Sequence, residues 1–176
     1  LVHFTLLKCF ISFCFSLGQR SDLQLLDLFC GKGNMGKAFM EAGLSAVSID
    51  ILMNSRFDIL KDDGYAIIIY LTLRLKPFVG ILFAGPPCKT WIWLARGHTG
   101  RSSGNVSGDV SRSDVQAANE ICERVHVLLT ICIHRNLKYI IEQPMTTLLW
   151  SMEPLNTFLA NHEHTRTFAW LGYFGH

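Results

Sequence analysis

The sequence predicts an α/β fold: a doubly wound, mostly parallel sheet of the Rossmann-like kind, in a single domain. Short β-rich segments alternate with helical ones from Asp22 onward, which is typical of βαβ units. A glycine-rich turn joins the first strand to the first helix, and polar motifs follow several apolar segments. At 176 residues and 49% hydrophobic content, the chain can form one domain with a full core but not two ordinary ones.

The first half of the chain contains the clearest βαβ unit. QLLDLF at residues 24–29 is the first strand, a helix runs from about Asn34 to Ala42, and AVSID at 46–50 is the second strand. FDILKD at 57–62 is a polar-ended loop. The segment YAIIIYLTLRL at 65–75 is apolar enough for either a helix against the sheet or a buried strand, and periodicity leaves both open.

The middle of the chain contains a buried strand and a long polar segment. VGILFA at 79–84 is a strand that ends at GPP, because proline lacks the donor a central strand needs. Residues 95–114 are rich in Gly, Ser and Arg, which predicts an exposed, mobile loop. Ser113 or Asp114 then caps a long helix.

The last third repeats the design of a strand that ends in polar residues. KYIIEQP at 138–144 is a buried strand that ends in an acid and a proline. A helix near residues 146–160 and a strand over TRTFAW at 165–170 complete the predicted alternation.

Composition restricts the classes of function. The net charge of +2 is too small to indicate nucleic-acid binding, so any such contact requires a local patch. The six cysteines form no CxxC pair, which favours reduced thiols in an intracellular protein. HEH at 162–164 has no third ligand nearby, so we expect a polar turn and no metal.

Residues 1–20 form an apolar N-terminal segment of uncertain role. A targeting sequence, a packing helix and a partner-docking segment are all compatible with it. No basic region precedes it and Lys8 interrupts the run, so we expect no membrane association. The first residue is Leu, from which we expect an incomplete start of the chain.

Four motifs fall at the ends of predicted strands: DLFCGKG, SID, AGPPC and IEQP. Ligands of open α/β sheets bind outside the carboxyl ends of the strands, near the point where the strand order reverses. Four motifs on one edge therefore predict a single site.

The glycine turn predicts a nucleotide or nucleoside pocket. Gly31, Gly33 and Gly36 satisfy the GxGxxG pattern, and glycine lets the backbone approach a ligand, although a plain tight turn looks the same. Asp50 is placed to accept hydrogen bonds from ribose hydroxyls, unless it is a solvated strand-end acid. Asp58 could receive an adenine amine or could cap a helix.

The motifs AGPPCKTW and IIEQP predict a nucleophile and an acid. Two prolines hold Cys88 in a defined direction, whereas a cysteine that only filled the core would not need them. A nucleophilic role would require an activating base, a dipole or a cation such as Lys89. We expect Glu142 to be partly buried, where it could hold or donate a proton, or else bonded to local amides. Together they suit covalent attack on an electron-poor ring.

These residues resemble the DNA (cytosine-5) methyltransferases, within the class I S-adenosylmethionine-dependent methyltransferase fold. DLFCGKGNMGKAF is similar to that family's first motif, GPPC to its nucleophile motif, and IEQP to its Glu-Asn-Val motif. The match covers residues 24–144 in the family's order. Gln143 and Pro144 stand where the family has Asn and Val.

The resemblance implies S-adenosylmethionine as cofactor and methyl transfer to carbon five of cytosine in DNA. It implies that the Cys88 thiolate adds to carbon six of the ring and that Glu142 engages the nitrogen at position three. The implied cofactor-binding residues are Asp27, Phe29, Gly31, Gly33, Asp50, Ile51, Asp58 and Pro86. Residues 21–176 would then form a catalytic domain without a recognisable target-recognition domain. The family's later Gln-x-Arg-x-Arg motif has at best a loose substitute in Arg166, so we expect a truncated or divergent member.

Substrate contacts are expected from the long polar segment. Arg96, Arg101 and Arg112 could close over a flipped cytosine and meet phosphates, partly offset by Asp109 and Asp114. The tryptophans of this region, Trp91 and Trp93, could stack on a base, but core packing is the favoured expectation for both.

Three alternatives remain open on the residues alone. A catalytically degenerate methyltransferase fold could serve as a binding module, and RNA could replace DNA as the substrate. A dinucleotide-dependent oxidoreductase is permitted by GxGxxG and Asp50, although nothing in that class requires PPC or EQP.

Overall fold

A computed structural model describes residues 20–169 of the 176-residue chain. Nearly all of the apolar N-terminal segment, and Trp170 at the end of TRTFAW, lie outside the described residues. The expectations for them stay predictions.

Strands and helices alternate along the described chain. The strands are β1 (Leu25–Leu28), β2 (Ala46–Ile49), β3 (Ile81–Ala84) and β4 (Lys138–Ile141). The helices are α1 (Asn34–Glu41), α2 (Asp62–Leu73), α3 (Arg96–Thr99), α4 (Ser113–His134) and α5 (Leu155–Asn161). Short 3₁₀ helices occupy Ser55–Phe57, Trp93–Ala95 and Leu149–Ser151.

The four strands form one parallel sheet in the order β2-β1-β3-β4. Their registers are aligned, so that Leu28 at the end of β1 is paired with Ile49 and with Ala84, and Ala84 is paired with Ile141. All four carboxyl ends therefore lie at the same edge. The strand order reverses between β1 and β3, which is where open α/β sheets place ligands.

The α/β prediction is confirmed by this sheet and its flanking helices. All four residues of β1 are buried, as expected for a central strand covered on both faces. Helix α1 packs on β1 and β2. The segment at 65–75, which periodicity left open, falls largely in α2, whose first turn carries Asp62 and Asp63. Acidic side chains at that end favour a helix.

The chain forms two compact units, each built from separated stretches. The sheet unit comprises the described chain up to Gly85 together with Leu128–Ile141, and the loop unit comprises Pro86–Val127 and the chain from Glu142 onward. Neither unit is a sequential domain, in agreement with the prediction of one domain. The buried side chains of the loop unit include Trp91, Val115, Cys122, Leu148, Leu155 and Phe158.

The predicted exposed loop at 95–114 is wrong in part. The segment begins with α3 and continues through turns, and it buries Thr99 and Arg101. The Gly, Ser and Arg content predicted exposure, but Arg101 is buried because its guanidinium has hydrogen-bond partners inside the protein. Helix α4 begins at Ser113, so Ser113 and Asp114 are its first residues rather than its caps.

The C-terminal expectations are also corrected. The helix near 146–160 consists of two pieces, a 3₁₀ helix and α5, with Pro154 at the start of the second. Proline is tolerated at a helix start because the first amides of a helix have no acceptor within it, so the missing N–H loses no bond. The strand over TRTFAW is absent from its described part: residues 163–169 form no regular structure and are exposed. Strand propensity depends on a partner strand, and residues 165–169 have none in the described part of the chain.

Between residues 20 and 169, no helix is both long enough and apolar enough to span a membrane.

Candidate functional site

The glycine turn, residues 29–33, leaves β1 with a left-handed backbone. Phe29, Gly31 and Gly33 have φ values of 60°, 53° and 68°. A non-glycine residue is rarely found there, so Phe29 is held by its surroundings. The amide of Gly33 donates to the carbonyl of Cys30 at 2.8 Å, which closes the turn immediately before α1.

Asp50 anchors this turn from the neighbouring strand end. Its Oδ2 accepts from the amide of Gly31 at 2.9 Å, and its Oδ1 accepts from the amide of Leu52 at 2.8 Å. The residue is 9% exposed. Each carboxylate oxygen can accept a second hydrogen bond, so the predicted ribose contact is chemically compatible with these bonds.

Asp27 supports the turn from inside the sheet. It is 2% exposed, and its Oδ2 accepts from the amide of Gly36 at 3.2 Å and from the hydroxyl of Ser48 at 3.1 Å. A Cβ at Gly36 would lie 1.9 Å from Oγ of Ser48, so only glycine fits there without displacing this hydroxyl. The sequence missed Ser48, although a polar residue in a buried strand needs a partner and could have been sought.

The residues after Asp50 present an apolar surface. Ile51 is 50% exposed, and Leu52 and Met53 are exposed beside it in sequence. Asp58 is half-buried and accepts from the amide of Leu60 at 3.0 Å, while the cap of α2 is Lys61. Asp58 therefore makes a local turn and does not cap the helix.

Cys30, in the glycine turn, is a free thiol in a half-buried position. Burial raises its pKa, and the nearby carboxylates of Asp27 and Asp50 act in the same direction. Its Sγ lies 3.4 Å from Sδ of Met53. This thiol is therefore disfavoured as a nucleophile.

In the loop unit, the proline turn, residues 86–90, presents Cys88. Pro86 is buried, while Cys88 is half-exposed and its thiol is free. The carbonyl of Cys88 accepts from the amide of Trp91 at 2.8 Å. The carbonyl of Trp91 in turn accepts from the amide of Leu148 at 3.0 Å, so the turn is tied to the chain that follows β4.

Gln143 makes a second tie between the two motifs of this unit. Its Nε2 donates to the carbonyl of Pro86, and its Oε1 accepts from the hydroxyl of Thr147 at 3.2 Å. The same hydroxyl accepts from the amide of Leu149 at 3.2 Å. The sequence showed Gln143 only as a departure from the family pattern. Its role could have been sought because a side-chain amide stands directly before a proline at a strand end.

Glu142 is exposed, which corrects the expectation of a partly buried carboxyl. The apolar residues before it belong to β4, and a strand directs successive side chains to opposite faces, so its predecessors do not decide its burial.

Of the three predicted phosphate-binding arginines, Arg101 is 2% exposed and its guanidinium is bonded internally, which contradicts a phosphate contact in this conformation. Arg112 pairs with Asp114, at 3.3 Å between Nε and Oδ1, and also contacts His98. The central guanidinium carbon of Arg96 lies over the ring of Trp93, 4.2 Å from the ring centroid.

The two tryptophans of this region differ in their surroundings. Trp91 is buried, which confirms the packing expectation for it. Trp93 is 63% exposed, so the packing expectation is wrong there.

The other described thiols are buried and unreactive. Burial raises the pKa values of Cys122 and Cys132 to about 12. Within residues 20–169, no group of three His, Cys, Asp or Glu could hold a metal ion. In HEH, His162 stacks on Phe158 with ring centroids 4.4 Å apart.

No protein-family model matches the chain, and comparisons with curated proteins and with solved structures give no match either. Inference about function therefore rests on the residues and geometry described above.

Proposed function

We propose that this protein binds S-adenosylmethionine and methylates carbon five of a cytosine in DNA through a covalent adduct of Cys88. The observation that carries the proposal is the bond from the amide of Gly31 to Asp50. It joins a glycine turn to a strand-end carboxylate beside the point where the strand order reverses, which is the arrangement that nucleoside ligands use in open α/β sheets.

The side chains of the sheet unit suit a nucleoside. A Cβ at Gly31 would meet nothing within 4 Å, so the backbone of the turn is open to a ligand. Asp50 and Asp58 offer acceptors to hydroxyl and amine groups, and exposed Ile51 offers an apolar contact to a flat base. S-adenosylmethionine, when bound, supplies an activated methyl group.

The loop unit supplies the groups that would act on the base. The half-exposed Cys88, as its thiolate, would add to carbon six of the ring. Glu142 would hold a proton at the ring nitrogen in position three, and its exposure leaves the carboxyl accessible to a base. Gln143 would keep the two motifs together through its bond to Pro86.

A calorimetric titration tests the cofactor part of the proposal. The purified chain is titrated separately with S-adenosylmethionine, S-adenosylhomocysteine and NAD. We expect the first two to bind and Asp50→Asn to weaken them, because one oxygen of the carboxylate becomes a donor. Asp63→Asn is the matched control, since Asp63 is an exposed acid in the first turn of α2 that accepts from the amide of Gly64.

The covalent step is tested with a DNA duplex that carries 5-fluorocytosine. S-adenosylmethionine is added, so that transfer of its methyl group to carbon five releases S-adenosylhomocysteine. Elimination of the cysteine then needs a proton to leave carbon five, and the fluorine in its place blocks this, so the adduct persists and can be located by peptide mass spectrometry. We expect an adduct at Cys88 that is absent from Cys88→Ser and retained by Cys30→Ser. A matching RNA separates the two polymers. In the calorimetric titration, binding of NAD but of neither S-adenosyl compound would contradict the proposal and favour an oxidoreductase.

A catalytically degenerate binding module is the second candidate. It is favoured by the lack of a hydrogen bond, among residues 20–169, that would hold the carboxyl of Glu142 at the proline turn. This candidate predicts binding of S-adenosylmethionine without transfer of a labelled methyl group to DNA or RNA.

A further inference from the structure

Arg101 is buried without a carboxylate partner. Its Nη1 donates to the carbonyl of Val106 at 2.6 Å, and its Nη2 donates to Oδ1 of Asn119 at 2.9 Å. No carboxylate in the described part of the chain bonds it. Burial lowers its pKa to about 10. Burying a charge in this way is costly, so its position calls for a physical reason.

The guanidinium lies against the ring of Trp91. Its central carbon is 3.5 Å from the ring centroid, and Trp91 is almost completely buried. A cation over an indole face is attracted by the ring quadrupole, most strongly where water is excluded. Arg101 therefore fixes the plane of this ring.

Asn119 and Gly108 restrict the position of the Arg101 side chain. Nδ2 of Asn119 donates to the carbonyl of Ser107 at 3.0 Å, so one amide side chain joins the arginine to the turn around it. Gly108 covers the aliphatic part of the arginine: a Cβ there would lie 2.8 Å from Cγ of Arg101 and 2.7 Å from the carbonyl oxygen of Thr99.

The backbone of Trp91 is hydrogen-bonded to the proline turn, so a fixed Trp91 ring also restricts that turn. The Trp91 amide donates to the carbonyl of Cys88, and the Trp91 carbonyl accepts from the amide of Leu148. A ring held in one plane keeps the backbone of Trp91 in place, and both bonds depend on that backbone.

We infer that Arg101 is a positioning residue, which fixes the direction of the Cys88 thiol by clamping Trp91. The consequence for catalysis rests on the proposed function, while the effect on the thiol does not. The arginine that the sequence assigned to phosphate binding thus acts within the loop unit.

Thiol alkylation of the full chain tests this inference. Native protein is treated with iodoacetamide, and the rates at Cys88 and Cys30 are followed by peptide mass spectrometry. Arg101→Lys keeps the charge but loses the planar fork and its stacking on Trp91. We expect the ratio of the Cys88 rate to the Cys30 rate to rise several-fold, because the turn is no longer held in one conformation.

Arg135→Lys is the matched control. Arg135 is also buried, burial also lowers its pKa, and it bonds Ser21 and the carbonyl of Leu75 within the sheet unit. We expect it to leave the rate ratio unchanged. An unchanged ratio in folded Arg101→Lys would overturn the inference, whether neither rate changes or both rates rise by the same factor.

Asn119→Ala keeps the inference testable if Arg101→Lys does not fold. It removes one acceptor of Arg101 and the bond to Ser107, so the ratio should rise by a smaller factor in the same direction. An unchanged ratio there would equally overturn the inference.

Methyl transfer separates this inference from the proposed function. If the chain is an enzyme, Arg101→Lys should lower kcat by about 100-fold, as misplacement of a reacting group does, and leave the KM for S-adenosylmethionine unchanged. An altered thiol ratio in Arg101→Lys, together with no methyl transfer by the wild-type chain, would support the inference and contradict the proposed function. Methyl transfer with normal kcat and an unchanged thiol ratio in Arg101→Lys would support the proposed function and overturn the inference.

Discussion

The glycine turn and the proline turn both follow a buried parallel strand, but different side chains hold them. At the glycine turn, Asp50 accepts from the amide of Gly31, and Asp27 accepts from the amide of Gly36 in α1, which follows the turn directly. In the proline turn, the amide of Gln143 bonds Pro86, and Trp91 bonds the carbonyl of Cys88. Bonds to a charged acceptor are roughly twice as strong as bonds between neutral groups. The first turn should therefore depend on single residues more than the second does.

The largest expected effect is at Asp27. Asp27→Ala leaves the buried amide of Gly36 and the hydroxyl of Ser48 without their acceptor, and should lower the free energy of unfolding by about 3 kcal/mol. Urea denaturation measures this. Asp63→Ala, at an exposed acid in the first turn of α2, should cost only about 0.5 kcal/mol. Equal costs for the two variants would mean that the buried carboxylate adds no net stability.

The next largest effect is expected at Gly36. A methyl group in Gly36→Ala would force the hydroxyl of Ser48 away from Asp27, and the lost bond should cost about 2 kcal/mol. Gly97→Ala, where a Cβ meets nothing within 4 Å, should change the stability by less than about 0.5 kcal/mol.

A double variant identifies the cause at Gly36. In a Ser48→Ala background, the hydroxyl that the new methyl group would meet is gone, and the nearest remaining atom of residue 48 is its Cβ at 3.3 Å. Gly36→Ala should therefore cost much less in that background. The same cost in both backgrounds would show that the close approach is not the reason for glycine at this position.

The sheet unit could be predicted from sequence because short-range rules decide it. Apolar segments with helical stretches between them predict parallel strands, and the order along the chain then restricts the topology. The carboxylate of Asp50 could be expected at a strand end, whereas its bond to Gly31 depends on the register of two strands. The sequence predicts a carboxylate at the strand end, but not which amide donates a hydrogen bond to it.

The loop unit was predicted less well because individual side-chain partners, which no periodic pattern indicates, decide its structure. Composition suggests that Arg101 is solvated, but Trp91 and Asn119 provide a buried place for it. Glu142 was expected to be buried with its apolar neighbours, but it is exposed. Neither outcome depends on the local sequence alone, since burial of a polar side chain is decided by the partners that the fold brings to it.

A smaller effect is expected at Gln143, the neutral counterpart of Asp50. Gln143→Ala removes the bond to Pro86 and the acceptor for Thr147, at a cost of about 1 kcal/mol, because water can reach this half-buried position. Unfolding in urea gives the value. Gln143→Glu separates the two bonds, because it keeps the acceptor for Thr147, whereas it loses the N–H to Pro86 and sets a carboxylate oxygen against that carbonyl. A cost for Gln143→Ala as large as that for Asp27→Ala would contradict the distinction between the two turns.

The smallest effect on stability is expected at Glu142, and there the two candidate functions separate. Its side chain is exposed, so Glu142→Gln should change the free energy of unfolding by less than about 0.5 kcal/mol. If Glu142 holds a proton at the ring nitrogen, the same variant should lower methyl transfer by about 100-fold, the usual contribution of a positioned acid or base. Labelled-methyl transfer is compared with Glu163→Gln, a variant of an exposed acid that follows α5. Undiminished transfer would exclude this role for Glu142. Loss of transfer at unchanged stability, with binding of S-adenosylmethionine also unchanged, would support a role of the carboxyl in the chemistry, because neither the fold nor the cofactor pocket would then account for the loss.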